Sequence, residues 1–409
     1  MTLRIVSSAV VLALGLGACT GNLTGDGSNG SGPGGPGQGG PGLGPGNGTA
    51  GSGTNGAAGS GTIVGVTGPD PGTPPDPLAA GPMPLRRLNH REFNNTVRDL
   101  LGVTSNPADS FPLDVDGGFA FHRAGLVSTL DASVLRDAAE AMVKTLDIAK
   151  LLTCSPSGGE DACAETFIKD FGAKAYRRPV SAEEATRLTA LFKAARTTLM
   201  LDFNESTRVV VEAIVQSPGF LYRWELGNTA ATLDGQVVKL TPYEVASRLS
   251  YFFWRSMPDK ALFDLAAAGS LESADDVAAQ AKRLLADEKA KTTIGSFFDE
   301  WLGLEELPDR PKDAQVYPEF GEPLAHAMQE ENRAFINSVL FGGDGTFTSL
   351  MTGKGASLSA SVAPIYGALS GAMSLDPAQR AGLMTRVGFL TVTGSPTGSH
   401  PVKRGRAVY

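Results

Sequence analysis

The stretch Leu240-Thr-Pro-Tyr-Glu-Val-Ala-Ser-Arg-Leu-Ser-Tyr-Phe-Phe-Trp254 constrains this chain more than any other. Thr241 suits a helix cap, Pro242 suits the first helical position, and Glu244 completes a capping box with Thr241. Tyr243, Ala246, Leu249, Ser250 and Phe253 then recur at helical spacing, with Val245, Phe252 and Trp254 beside them. That is a wide apolar face with one cation, Arg248, inside it. The amphipathic segments on either side each need a large apolar neighbour, and this helix offers the largest.

The other strong constraint is negative. From Thr20 to Pro82 the chain is mostly Gly, Pro, Ser, Thr and Asn, with no Lys or Arg. Such a segment buries too little surface to offset its ordering entropy. It is expected to be a disordered tether, with a root-mean-square span of roughly 40–45 Å for about 60 residues. Gly32-Pro-Gly-Gly-Pro-Gly37 matches the glycine pattern of dinucleotide sites, but it follows no strand and opens no helix. Upstream, Arg4, the apolar run Ile5–Leu16 and Leu16-Gly-Ala-Cys19 form a secretion signal. Its end resembles the lipobox of bacterial lipoproteins, which makes Cys19 the lipidated residue and places the chain in the cell envelope as an outer-membrane lipoprotein. Thr20, rather than aspartate, follows it. The membrane is then met through the lipid anchor, since no other stretch is long and apolar enough to span a bilayer.

The folded body begins near Leu85. Asn89 with Glu92 caps a helix that ends at Gly102, with Phe93, Val97, Leu100 and Leu101 on one face. Further helices are expected over Thr129–Leu152, Asp161–Tyr176, from Ser181, and over Asn204–Gln216. After the central helix come Pro258–Ala268, the segments opened by Ser273 and by Asp287, Glu322–Phe341, Leu358–Tyr366 and Pro377–Thr391. The segment from Asp287 brings Ile294, Phe297, Phe298 and Trp301 to one side. Strand alternation is brief, around Gln236–Leu240, so the body is all-α, an irregular multi-helix bundle with at most one small hairpin. The chain divides into a signal and lipobox (1–19), the tether (20–82), an N-terminal helical domain (83–150), a second helical domain (151–230), a central helical domain (231–370) and the start of a C-terminal domain (371–409).

Candidate chemistry is sparse. With 35 Lys+Arg against 43 Asp+Glu, the net charge of −8 excludes nucleic acid as a partner. Cys154 and Cys163 flank a polar loop, and in an oxidising compartment they are expected to join, a closure worth roughly 2.5–3 kcal/mol. Asp109, Asp114 and Asp116 share a loop with Gly117 and Gly118, so Asp114 and Asp116 are candidate metal ligands, although no glutamate arrives at the calcium-loop distance. A solvated turn is the simpler reading. His90, His122, His326 and His400 show no helical metal spacing, and the common hydrolase signatures are missing. Arg177, Arg178, Arg223 and Arg248 neighbour Tyr176, Tyr222, Trp224 and Tyr251. Ion pairing with Glu225 or Glu244 is the structural reading; Arg223, Trp224 and Arg248 are the candidate binding residues.

Leu85–Gly102, Ala175-Tyr-Arg-Arg-Pro179, Ser217–Arg223 and Leu240–Pro258 resemble blocks of a planctomycete and myxobacterial-type envelope family built from serial domains of unknown function. The central block is similar to "domain of unknown function 1592". Gly382–Leu390 with Pro401-Val-Lys-Arg-Gly405 is similar to the start of that family's next domain, where a C-x-x-C-H motif implies covalent c-type haem. No C-x-x-C-H occurs here, so no cofactor is expected in this chain, and haem c is expected only in a complete protein extending past Tyr409. Three functions stay open, in order of preference: the helical part of a cytochrome-associated envelope lipoprotein, a surface binding or scaffold module for a polymer or protein partner, and a metal-assisted hydrolase using Asp114, Asp116 and His122.

Overall fold

Helix starts in this protein are set by short polar side chains folding back on the backbone. The computed structural model describes residues 85–408 apart from 117–121, 125–126, 228–231 and 234–236. Cys19, the tether and Gly117–Gly118 lie outside the described residues, as do the side chains of Asp116 and His122. Residues 83–409 form one compact unit.

Its first half is α1 (His90–Leu101), α2 (Thr129–Lys144), the short α3 (Ile148–Leu151), α4 (Glu160–Tyr176), α5 (Ala182–Thr197), α6 (Phe203–Gln216) and α7 (Pro218–Leu221). The central helix α8 (Pro242–Trp254) leads to α9 (Lys260–Ala267), α10 (Ala274–Leu285) and α11 (Glu288–Leu302). The rest is α12 (Glu322–Leu340), α13 (Phe347–Thr352), α14 (Val387–Val392) and α15 (Pro401–Val408). Reciprocal capping boxes open α1 (Asn89 with Glu92), α5 (Ser181 with Glu184) and α8 (Thr241 with Glu244), as the sequence predicts. Two more open α2 and α6, from Ser128 with Asp131 and Asp202 with Glu205.

Among the described residues the paired strands are two-residue ladders. β5 (Thr232–Leu233) pairs with β6 (Val237–Val238), close to the predicted hairpin. β2 (Val115–Asp116) pairs with β3 (His122–Arg123). β1 (Arg86–Arg87) pairs antiparallel with β4 (Tyr222–Arg223), over a separation that local alternation cannot reveal.

Three hydrophobic cores follow. The first joins α1 to α7 and takes Tyr251 and Met257 from beyond them. The second is small, around Ala246, Trp254, Leu262 and Leu284, where α8 packs on α9 and α10. The third runs from Phe298 to Val392.

The central helix packs its predicted face against the second core, with Tyr243, Val245, Leu249 and Phe253 partly buried there, but its most deeply buried residues lie to one side of that face. Its buried set is Ala246, Ser247, Ser250, Tyr251 and Trp254, while Arg248 and Phe252 face solvent. The polar tips of the two aromatics are both satisfied in this position. Tyr251 Oη lies 2.8 Å from Thr96 Oγ1, and Trp254 Nε1 donates to Leu284 O at 3.0 Å. Likewise on α11, Phe298 is buried but Phe297 and Trp301 are exposed at 43% and 38%.

Other expected helices are shorter. α2 stops at Lys144 because Thr145 turns its hydroxyl onto Met142 O and Arg208 takes the Leu146 carbonyl. Leu146 and Ile148 can then both enter the core. Leu358–Tyr366 is helical only over Ala363–Tyr366, as a 3-10 turn. In the last predicted segment α14 begins only after Arg386, whose extended backbone sends the side chain into the third core.

Candidate functional site

α1 presents two faces. Phe93, Val97, Leu100 and Leu101 are buried, while His90, Arg91, Asn94, Asn95 and Arg98 line a cleft of about 980 Å³. Opposite stands the polar face of α11, with Glu288, Lys291, Thr292, Ser296 and Glu300 at helical spacing. Arg333 and Asn337, one turn apart on α12, complete the wall. Three helices thus turn polar stripes toward one space, in the size range of about 300–1,000 Å³ usual for ligand sites.

Charges in the cleft hold one another in place. Arg91 pairs with Glu305 and lies 3.8 Å from Glu300, and Arg255 pairs with Glu300 at 2.6 Å. Arg255 is itself a left-handed residue (φ 49°) where a helix usually ends on glycine. That conformation costs about 1–2 kcal/mol, and the ion pair offsets it. Arg333 pairs at 2.6 Å with buried Asp299, whose carboxyl is raised above its ordinary value by burial, with Arg333 opposing. Asn337 Oδ1 is buried without a hydrogen-bond partner.

Gly295 marks the wall that faces the space. It sits inside α11, where glycine weakens a helix by about 0.5–1 kcal/mol relative to alanine. A Cβ built there would meet nothing within 4 Å. Packing therefore does not demand the glycine, and the cleft wall is open at this position.

Of the predicted site residues, Asp109 and Asp114 line this cleft beside His90, whereas Arg223, Trp224 and Arg248 do not. Asp114 turns inward: its Oδ2 accepts from the His90 backbone N–H at 2.9 Å, and its Oδ1 is 3.7 Å from His90 Nε2. The His90 ring is also 2.9 Å from Pro112 O. Asp109 accepts from Asn94 at 3.2 Å. Among the described residues no group of three or more His, Cys, Asp or Glu could hold a metal ion.

The arginines are engaged too. Arg223 lies 3.5 Å from Glu92 and over the Tyr251 ring at 5.2 Å. Arg248 pairs with Glu225 at 2.6 Å on the surface. Trp224 Nε1 donates to Pro218 O at 3.1 Å. Glu244 is occupied by its capping box and by the N–H groups of Leu226 and Gly227. Arg177, in the left-handed conformation at the end of α4, gives one guanidinium nitrogen to the carbonyls of Gly219, Phe220 and Tyr222 at 2.8–3.0 Å.

Cys154 and Cys163 form the disulfide, with Cα atoms 5.4 Å apart. The third cysteine of the chain is Cys19.

Sequence reading did not find the cleft. Its walls come from residues two hundred positions apart; Asp109, Asp114 and His90 stand out one by one in the sequence, but nothing local joins them to Gly295 and the polar face of α11.

Three stretches match family models in series. Residues 86–147 match DUF1587, 163–225 match DUF1595 and 240–368 match DUF1592, each described as a protein of unknown function. The cleft takes α1 from the first and α11 and α12 from the third. No curated protein and no solved structure matches the chain.

Proposed function

This chain belongs to the protein family built from the serial domains of unknown function DUF1587, DUF1595 and DUF1592, and on that premise we propose that it is a binding module of the cell envelope. In this reading Cys19 carries the lipid anchor and the tether presents the helical body to a polar polymer or protein partner. The cleft of α1, α11 and α12 is the contact site. The observation that carries it is the cleft itself: α1, α11 and α12 turn Asn95, Arg98, Lys291, Thr292 and Asn337 toward one open space, with room left on its wall at Gly295. Partner hydrogen bonds would come from Asn95, Arg98, Asn337 and the ion-paired groups around Glu300.

The test uses the mature chain and a Gly295→Trp variant, which adds bulk at a cleft-lining position where a Cβ meets nothing within 4 Å. Both are applied to immobilised envelope polysaccharides and to envelope protein extracts. The reading expects at least one ligand class retained by the wild type and lost by the variant. Equal retention of every ligand by both would refute it. Mass spectrometry of the amino terminus tests the anchor, which requires an acylated Cys19.

A cytochrome-associated system is the partner class that the sequence resemblance implies, through Gly382–Leu390 and Pro401–Gly405. It is tested by haem staining of the complete reading frame, and the absence of a Soret band would remove it.

A further inference from the structure

A second cavity, of about 710 Å³, lies among the C-terminal elements and shares no lining residue with the cleft. Phe320, Leu324, Met328, Ile365, Val387 and Leu390 give it an apolar lining. Lys312, Arg380 and Arg404 line it as well. Lys312 is fixed in place, its Nζ donating to Thr391 O at 3.0 Å and to Ser395 O at 2.9 Å.

These cations are unusual in their lack of counter-charge. Neighbouring Arg310 pairs with Glu306. Among the described residues Lys312, Lys403 and Arg404 have no carboxylate partner, and Arg404 Nε is buried with no hydrogen-bond partner. Glu319 also lines the cavity, yet it pairs with none of them. Burial, then the charges of Lys403, Arg310 and Arg404, push the Lys312 ammonium below its ordinary value. In a chain of net charge −8, composition does not explain such a concentration of unpaired cations. Like charges gathered at an apolar surface are unfavourable until an anion joins them.

We propose that this cavity binds an amphiphilic anion, its carboxylate head held by Lys312 and Arg404 and its apolar tail laid against the incompletely buried Phe320, Ile365 and Leu390. The head neutralises the cluster, and the tail removes exposed apolar surface from water. This site is independent of the cleft, so either reading can fail without the other.

The test is calorimetric titration of the full mature chain with dodecanoate below its micellar concentration, beside dodecanol and acetate. Saturable dodecanoate binding is expected, with dodecanol roughly tenfold weaker or worse and acetate undetectable. Lys312→Gln should weaken dodecanoate roughly tenfold. Because Lys312 also ties down two carbonyls, Arg404→Gln is the companion variant, with the same expected loss and an unchanged unfolding midpoint. The proposal is overturned by no saturable binding in the wild type, by equal affinity for dodecanol, by acetate binding as tightly as dodecanoate, or by an Arg404→Gln variant that binds like the wild type.

Discussion

Thr96 Oγ1 and Tyr251 Oη meet at 2.8 Å, both buried, and join the first helix of the body to its central helix across 155 positions of sequence. The Tyr251 hydroxyl also receives Arg177 NH1 at 3.3 Å, and the rings and guanidinium groups of Arg177, Tyr251 and Arg223 stack within 5.6 Å. One side chain therefore touches all three segments that match family models. Removing only its hydroxyl, in Tyr251→Phe, leaves the packing intact and strands the Arg177 donor. A loss of about 1–3 kcal/mol is expected in urea unfolding, and Thr96→Val should add much less in that background than alone.

A second buried relationship governs the third core. Arg386 and Glu331 pair at 0% and 1% side-chain exposure, with Tyr366 Oη donating to the same carboxylate at 3.2 Å. Arg386→Met leaves a buried carboxylate without its partner, and should cost about 3–5 kcal/mol by chemical denaturation. Removing both charges, in Arg386→Met with Glu331→Leu, should recover most of that loss. A double variant no more stable than the single one would contradict this account of the pair.

Glu212 gives a pH signature. It is buried on α6, and burial, then the charge of Glu140, raises its carboxyl above the ordinary 4.5. Between the ordinary and the raised value the native state holds more protons than the unfolded chain. The Glu212 contribution is therefore most favourable below pH 4.5 and is lost as pH rises through the folded value. Glu212→Gln should remove that loss and raise the unfolding midpoint at neutral pH. Midpoints of both proteins measured from pH 4 to pH 8, as roughly spaced points, should diverge with increasing pH.

The disulfide closes a loop with a sequence separation of 9 beside the buried face of α4. Replacing Cys154 and Cys163 by serine should lower stability by about 2–3 kcal/mol, and reductant should shift the wild-type midpoint by the same amount. The variant's midpoint should be unaffected by reductant.

What could be read from the sequence was local. Caps such as Asn89–Glu92, Ser181–Glu184 and Thr241–Glu244 depend on residues three apart, and the disulfide on two cysteines flanking a polar loop. Depth of burial was not local. The apolar face of α8 was legible, but the deep burial of Tyr251 and Trp254 rests on Thr96 and the Leu284 carbonyl, partners that no window around Tyr251 contains. Helix lengths failed for the same reason: Arg208 takes the Leu146 carbonyl from 62 positions away and stops α2. The segment around Asp114 was read for its carboxylates, and the structure commits that carboxylate to the His90 N–H.

Residues 86–147 and 163–225 match separate family models, yet they share the first core, where α2 packs along α6 and both bury residues, Leu135, Ala139 and Met142 from one and Val210 and Ile214 from the other. The cleft stands on that shared core through α1. Native-state hydrogen exchange in increasing urea measures its unity directly. The amides of α1, α2 and α6 should merge onto one unfolding isotherm, with a common free energy and slope. An α1–α2 segment that opens on its own isotherm, with lower free energy and smaller slope than α6, would contradict the account.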